Sequence, residues 1–144
     1  MRTQIEKLVD IFRQEKDRTL VEDIASKREL SYEQVQGMAL KLAEGLSQQG
    51  YKKGDKIGII LHNGLEYVVI YFALMQLGAV AVPVNPGLHL DEIKYILNFS
   101  EVKFIFFADA LKGPIESIVQ DYTKAMVTAA FLDDLQKSKI RLHR

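Results

Sequence analysis

Apolar and polar residues alternate with two different periods along the chain, and the switches between them mark its elements. Ile5, Leu8, Val9 and Phe12 fall at i, i+3, i+4 and i+7, the stripe of an amphipathic helix over residues 1–17 that runs into the charged cluster at 13–18. Residues 19–24 read as a short strand. Ser31 followed by Gln34 forms a capping box ahead of a helix whose single apolar face is Val35, Met38, Ala39, Leu42 and Leu46. Gly50 supplies a left-handed stop to that helix, and residues 52–55 form a turn with Gly54 at positive φ.

Residues 56–61 (KIGIIL) are a continuous apolar run, as expected of a strand buried on both faces. Asn63 and Glu66 repeat the capping pattern at the start of a helix over 64–77 that is apolar nearly all round. Gly78 ends it, and residues 79–84 (AVAVPV) read as another buried strand before the turn at Asn85, Pro86 and Gly87. A helix over 90–99 is expected to bury Leu90, Ile93 and Leu97, followed by a strand at 103–107 (KFIFF). Pro114 suits the first position of a helix with the stripe Ile115, Ile118, Val119 and Tyr122. Residues 126–131 read as a final strand, and 133–144 as a polar tail. Short apolar strands alternating with helices predict an α/β fold of βαβ units with a mostly parallel sheet. The organisation expected is an N-terminal helix (1–17), an α/β unit (18–132) and the tail (133–144).

Composition narrows the function classes. Nineteen basic residues balance nineteen acidic ones among 144, so no overall field favours nucleic acid or an anionic membrane. With no cysteine, disulfides, thiolate metal sites and cysteine nucleophiles are excluded. The N-terminus lacks the apolar core of a secretion signal, and the expected compartment is the cytoplasm. The apolar stretch 65–84 is interrupted by Glu66, Gln76, Gly78 and Pro83, so it reads as a buried helix and strand, with no transmembrane segment.

Candidate chemistry is sparse. No GxGxxG, GxxxxGK[ST] or GxSxG pattern is present. His62, His89 and His143 have no helical ligand partners. His62 stands at the carboxyl end of a strand, where α/β proteins hold ligands, although a polar turn residue also suits that place. Asp91 and Glu92 complement a helix dipole, Asp133 and Asp134 solvate the chain end, and Glu66 is read as a capping residue. Tyr51, Tyr67, Tyr71 and Tyr95 have the spacing of core or half-buried residues, without the basic neighbours of a base-stacking surface.

The order of the local motifs is more informative than any one of them. Leu30-Ser31-Tyr32-Glu33-Gln34-Val35 resembles the L-T/S-Y-x-E/Q-L entry motif of the adenylate-forming superfamily. Lys53-Gly54-Asp55-Lys56-Ile57 is similar to its K-G-D-R/K-V signature, and Asn63-Gly64-Leu65-Glu66-Tyr67 to its N-x-x-E-F/Y helix start. The run from Leu77 to Pro86 resembles K-A-G-A-V-Y-V-P-L-N/D-P, with Gln76-Leu77 in place of K-A and Ala81 in place of an aromatic residue. Glu92-Ile93, Tyr95-Ile96-Leu97 and Ser100 fit E-L-x-Y-I-L-x-x-S.

The resemblance spans residues 18–108 and leans towards acyl-CoA synthetases of the long-chain fatty-acid–CoA ligase type. It implies the N-terminal portion of the large domain of such an enzyme, whose parent would use a carboxylic or fatty acid, ATP, Mg2+ and CoA. The family's Ser/Thr/Gly-rich phosphate loop and C-terminal lysine have no counterpart in this chain. No catalytic, cofactor-binding or metal residue is therefore expected, and the chain alone is expected to be inactive. Two alternatives remain: a portion of a carrier-protein-loading adenylating enzyme, or a complete small flavodoxin-like binding module. A receiver-type module would need paired acids after its first strand and an aspartate ending its third, a set that residues 19–24 and His62-Asn63 do not supply. Elements that are apolar on several faces in so short a chain predict self-association, as a dimer.

Overall fold

The computed structural model describes residues 7, 10–11, 13–23 and 27–137. The predicted stripe Ile5, Leu8, Val9 and Phe12 lies outside these residues. In chain order the elements are β1 (Thr19–Asp23), β2 (Arg28–Ser31), α1 (Tyr32–Gln48), β3 (Lys56–Ile60), α2 (Leu65–Leu77), β4 (Val80–Pro83), α3 (Leu90–Ser100), β5 (Phe104–Ala108), a 3-10 turn (Asp109–Leu111), α4 (Lys112–Glu116), β6 (Lys124–Val127) and α5 (Phe131–Gln136).

Four of the strands form one parallel sheet in the order β4-β3-β5-β6. Counted from β3 this is 2-1-3-4, the beginning of the flavodoxin-like doubly wound order. Successive side chains alternate across the two central strands. Ile57, Ile59, Phe104 and Phe106 enter one core with α1, α2 and α5. Ile60, Ile105 and Phe107 enter a second core with Ile93 and Leu97 of α3 and with Ile115 and Val119. A methyl group on Gly58 would lie 3.3 Å from Leu97 Cδ2, so the bare glycine sets how closely α3 approaches β3. This two-sided burial is why β5, and β3 beyond its exposed first residue Lys56, lack polar residues. It matches the sequence reading of an α/β fold with a mostly parallel sheet.

Helix α1 follows its pattern closely. Ser31 Oγ accepts the Gln34 N–H at 3.1 Å while Gln34 Oε1 accepts the Ser31 N–H at 2.8 Å, satisfying amides that the first turn leaves free. All five predicted face residues are buried. Gly50, at φ 98°, lets its own N–H reach Ser47 O and the Tyr51 N–H reach Leu46 O, the paired bonds of a Schellman end.

Several expectations are corrected. A strand missed in the sequence, β2, pairs antiparallel with β1 in a separate two-stranded sheet, Val21 opposite Leu30. The strand β4 is an edge, with Val80 45% exposed, rather than a strand buried on both faces. Leu90 is exposed, leaving Ile93 and Leu97 as the buried residues of α3. Pro114 stands third in a five-residue helix that stops at Glu116; Ile118, Val119 and Tyr122 still pack into the second core, from irregular backbone. The last strand spans Lys124–Val127, and Phe131 instead opens α5. That helix continues past residue 132, burying Phe131, Leu132 and Leu135, while Lys41 Nζ donates to the carbonyls of Leu135 and Gln136. Tyr95 and Tyr71 are exposed rather than core residues.

Candidate functional site

An open cleft of about 450 Å3 lies outside the carboxyl ends of β3 and β4, lined by Leu61, His62, Asn63, Tyr67, Pro83, Val84, Asn85 and Pro86. The parallel register creates it. Ile59 pairs with Pro83, and the Val84 N–H closes on Ile59 O at 2.8 Å, so the loops that leave the two strands emerge side by side. One wall is the turn Leu61–Gly64 and the first turn of α2; the other is the Asn85 turn. The Asn85 turn is held by Asn85 Oδ1 accepting the Gly87 N–H at 2.8 Å. The polar groups facing this space are an imidazole, two carboxamides and a phenol, and no lining residue is an acid, lysine or arginine. Such a lining can hydrogen-bond an uncharged group, but it has no cation to meet a developing phosphate charge.

Of the residues weighed in the sequence as candidate chemistry or caps, His62, Asn63 and Tyr67 reach this cleft together. His89 precedes α3 without a side-chain cap bond, and Asp91 and Glu92 lie in the first turn of α3. Asp133 and Asp134 lie in the first turn of α5, and His143 lies outside the described residues. The proposed cap on α2 is corrected. Its N-cap is Gly64, with no side-chain cap bond, and Glu66 instead accepts two bonds from Arg28 Nη2, at 3.2 and 3.1 Å. This ion pair fastens β2 to the start of α2. Asn85, Tyr67 and Pro86 were not anticipated as site residues. The signal available for them was the same strand-end rule that singled out His62, applied to the next strand.

The most perturbed acid lies at the opposite end of the sheet. Asp55, 8% exposed at its side chain, accepts from Lys103 Nζ and from the Lys52 N–H, each at 2.9 Å. The Lys103 hydrogen bond, then the Lys52 amide, hold its carboxyl below the ordinary range. Its backbone carbonyl accepts the Val80 N–H at 2.8 Å, and Gly54 N–H reaches Gly78 O at 2.9 Å. Here the perturbed acid stitches the starts of β3, β4 and β5, a structural duty remote from the cleft.

A family model described as AMP-binding enzyme matches residues 9–142. The chain belongs to the AMP-binding enzyme family. Among this chain's relatives is a long-chain-fatty-acid–CoA ligase, FadD13, of Mycobacterium tuberculosis, 30% identical over 89 residues, covering 62% of this chain and 18% of the relative. A 2-succinylbenzoate–CoA ligase of Bacillus cereus is 27% identical over 123 residues, covering 74% and 25%. The crystal structure of the N-terminal domain of FACL13 from M. tuberculosis superposes with a TM-score of 0.81 at 22% identity, over 98% of this chain and 37% of that one. The fold is thus that of the N-terminal region of adenylate-forming enzymes, and the chain spans about a fifth of the length of these curated relatives. Two of the resemblance motifs, the Asn63 helix start and the Pro83-Val84-Asn85-Pro86 run, meet across the cleft.

The described residues do not fit a nucleotide–metal site. Among the described residues no three His, Cys, Asp or Glu side chains converge to hold a metal ion, and no glycine-rich loop offers a row of amides to phosphates. Among the described residues no helix is long and apolar enough to cross a membrane.

Proposed function

We propose that this chain is the N-terminal scaffold of an AMP-forming acyl-CoA synthetase. The whole protein's reaction would convert a carboxylic or fatty acid, ATP and CoA into acyl-CoA, AMP and pyrophosphate in the cytoplasm, with Mg2+ accompanying ATP. The observation that carries this reading is the family match across residues 9–142, combined with relatives that are acyl-CoA ligases. The family match also disfavours the independent flavodoxin-like module, which the strand order alone would allow. In this scaffold the 144 residues supply a sheet, its two cores and the cleft wall, while phosphate binding and acyl transfer belong to sequence that they do not contain.

The test is the coding sequence downstream of the Arg144 codon. The reading predicts an open frame encoding a Ser/Thr/Gly-rich loop, and acyl-CoA formation by the extended protein with ATP, CoA and a fatty acid. An extended protein that forms acyl-adenylate but transfers it only to a carrier protein would replace this reading with the carrier-loading alternative. We further propose that the isolated chain self-associates as a dimer. The basis differs from the one read in the sequence: α2 and β5 are largely covered, and the apolar surface left open includes Tyr95 and Phe99 on α3.

A further inference from the structure

The outer face of α3 carries the most exposed large apolar side chains among the described residues. Tyr95 is 66% and Phe99 75% exposed, and their rings stack on each other, with centroids 5.7 Å apart and planes 17° apart. One helical turn separates them, so they form a single aromatic step. Asp91 and Glu92 lie a turn before Tyr95 and, with Tyr95 and Ile96, line a shallow groove of about 300 Å3. At the helical rise per residue these two carboxylates stand about 8 Å from the middle of the step, towards the carboxyl end of the sheet.

The other end of α3 leads to a surface of opposite charge. The parallel register sets Val80, Lys56 and Lys103 side by side at the amino ends of β4, β3 and β5, just past the end of α3 at Ser100. Val82 and Ile60 pack into the α3 core, and Gly58 faces Leu97. Strand alternation therefore puts Val80 and Lys56 on the α3 side of the sheet. Val80 is 45% exposed, and Lys56 is exposed. Lys103 keeps 59% of its side chain exposed while donating to Asp55, and an ammonium has further protons to donate. The acids beside this row are Glu101 and the already paired Asp55. The aromatic step thus lies between an acidic turn at one end and a basic, partly apolar row at the other.

We propose that the α3 faces of two copies of this chain pack antiparallel about a twofold axis. The ring step of one copy meets the ring step of the other, and Asp91 and Glu92 of each lie over Lys56 and Lys103 of its partner. The inference rests on the self-association proposed above and names its surfaces. Charge decides the direction. A parallel pair would set each acidic turn against its own copy, whereas the antiparallel pair opposes the helix dipoles and makes two equivalent sets of opposite charges. Covering the exposed parts of the two rings removes roughly 250–300 Å2 per copy, about a third of a standard interface. Ile96, Val80 and the lysine stems enlarge that contact. An interface of this size supports a weak dimer.

The test is sedimentation velocity of the 144-residue chain across micromolar concentrations. A monomer–dimer equilibrium that weakens with added salt is expected. The double variant Tyr95→Ser, Phe99→Ser, whose side chains are too exposed to hold the core, should weaken the dimer by about tenfold or more. Charge reversal tests the direction of packing with exposed residues alone. Glu92→Lys and Lys56→Glu should each weaken the dimer by about three- to tenfold, since each sets like charges together twice. An equal mixture of these two variants should restore it, because a mixed dimer has opposite charges at both contacts. A dimer indifferent to the ring substitutions, or a mixture no tighter than its components, overturns these surfaces while leaving self-association standing. A chain that stays monomeric throughout overturns both. None of these results bears on acyl-CoA formation by the extended protein, so this proposal and the ligase reading fail separately.

Discussion

Replacing Asp55 by alanine should destabilise the chain through a pH-dependent loss. One carboxylate oxygen accepts the Lys52 N–H and the other accepts Lys103 Nζ, each at 2.9 Å. The Lys103 side chain is 59% exposed, so solvent screens that ion pair and its share is at most about 0.5–1 kcal/mol. The amide bond is better protected, since the Asp55 side chain is only 8% exposed, and a hydrogen bond to a charged acceptor contributes about 1.5 kcal/mol or more. Together they predict a loss of about 2 kcal/mol at neutral pH. The carboxyl is held below its ordinary value near 4 mainly by the Lys103 bond and next by the Lys52 amide. A depressed folded-state pKa adds stability that is fully present above the unfolded value of about 4. That stability disappears as pH falls through the lower folded value. Urea unfolding of the parent and Asp55→Ala, at pH 7 and again near pH 3, reads both effects. The expected gap is about 2 kcal/mol at pH 7, shrinking markedly in acid. A gap that is the same at both pH values, or absent at pH 7, would refute the electrostatic account of the turn.

Ser31→Ala removes the hydroxyl that accepts the Gln34 amide and should cost about 1 kcal/mol in urea unfolding; an unchanged midpoint would show that the capping box contributes nothing. Gly78→Ala forces a side chain onto a residue at φ 79°, with its Cβ 3.1 Å from Lys53 Cγ, and should cost about 1–2 kcal/mol by the same measurement. Phe106→Ala empties a fully buried place between Phe104 and Phe131 and should cost about 3–5 kcal/mol, read as a large fall in thermal midpoint.

The central part of the fold was legible because its signals are local and agree with one another. The α1 stripe, its capping box and Gly50 all specify the same helix, and β3 and β5 are apolar because both of their faces are covered. The errors fall where composition does not reveal position in the sheet. AVAVPV has the residues of a buried strand, yet Pro83 cannot donate to a ladder, which is the mark of an edge. Arg28–Ser31 buries only Leu30, so β2 carries no alternation to read. Phe131, Leu132 and Leu135 have helical spacing, but Asp133 and Asp134 between them gave the segment the look of a tail. The cleft was legible only in halves. His62 was noticed at the end of one strand, whereas Asn85 joins it through parallel pairing of strands separated by a whole helix, which no local spacing records.

On the function proposed above, these 144 residues would supply the scaffold of an adenylating enzyme without its chemistry. The direct measurement is ATP–pyrophosphate exchange by the purified chain, with a panel of fatty and aromatic acids and Mg2+. Adenylation needs cations and amide donors placed where phosphate charge develops, and the cleft at the ends of β3 and β4 offers an imidazole, carboxamides and a phenol instead. The predicted result is exchange at background with every acid. Acid-dependent exchange that survives repurification, and that falls when His62 or Asn85 is replaced by alanine, would contradict the account and place catalysis in that cleft.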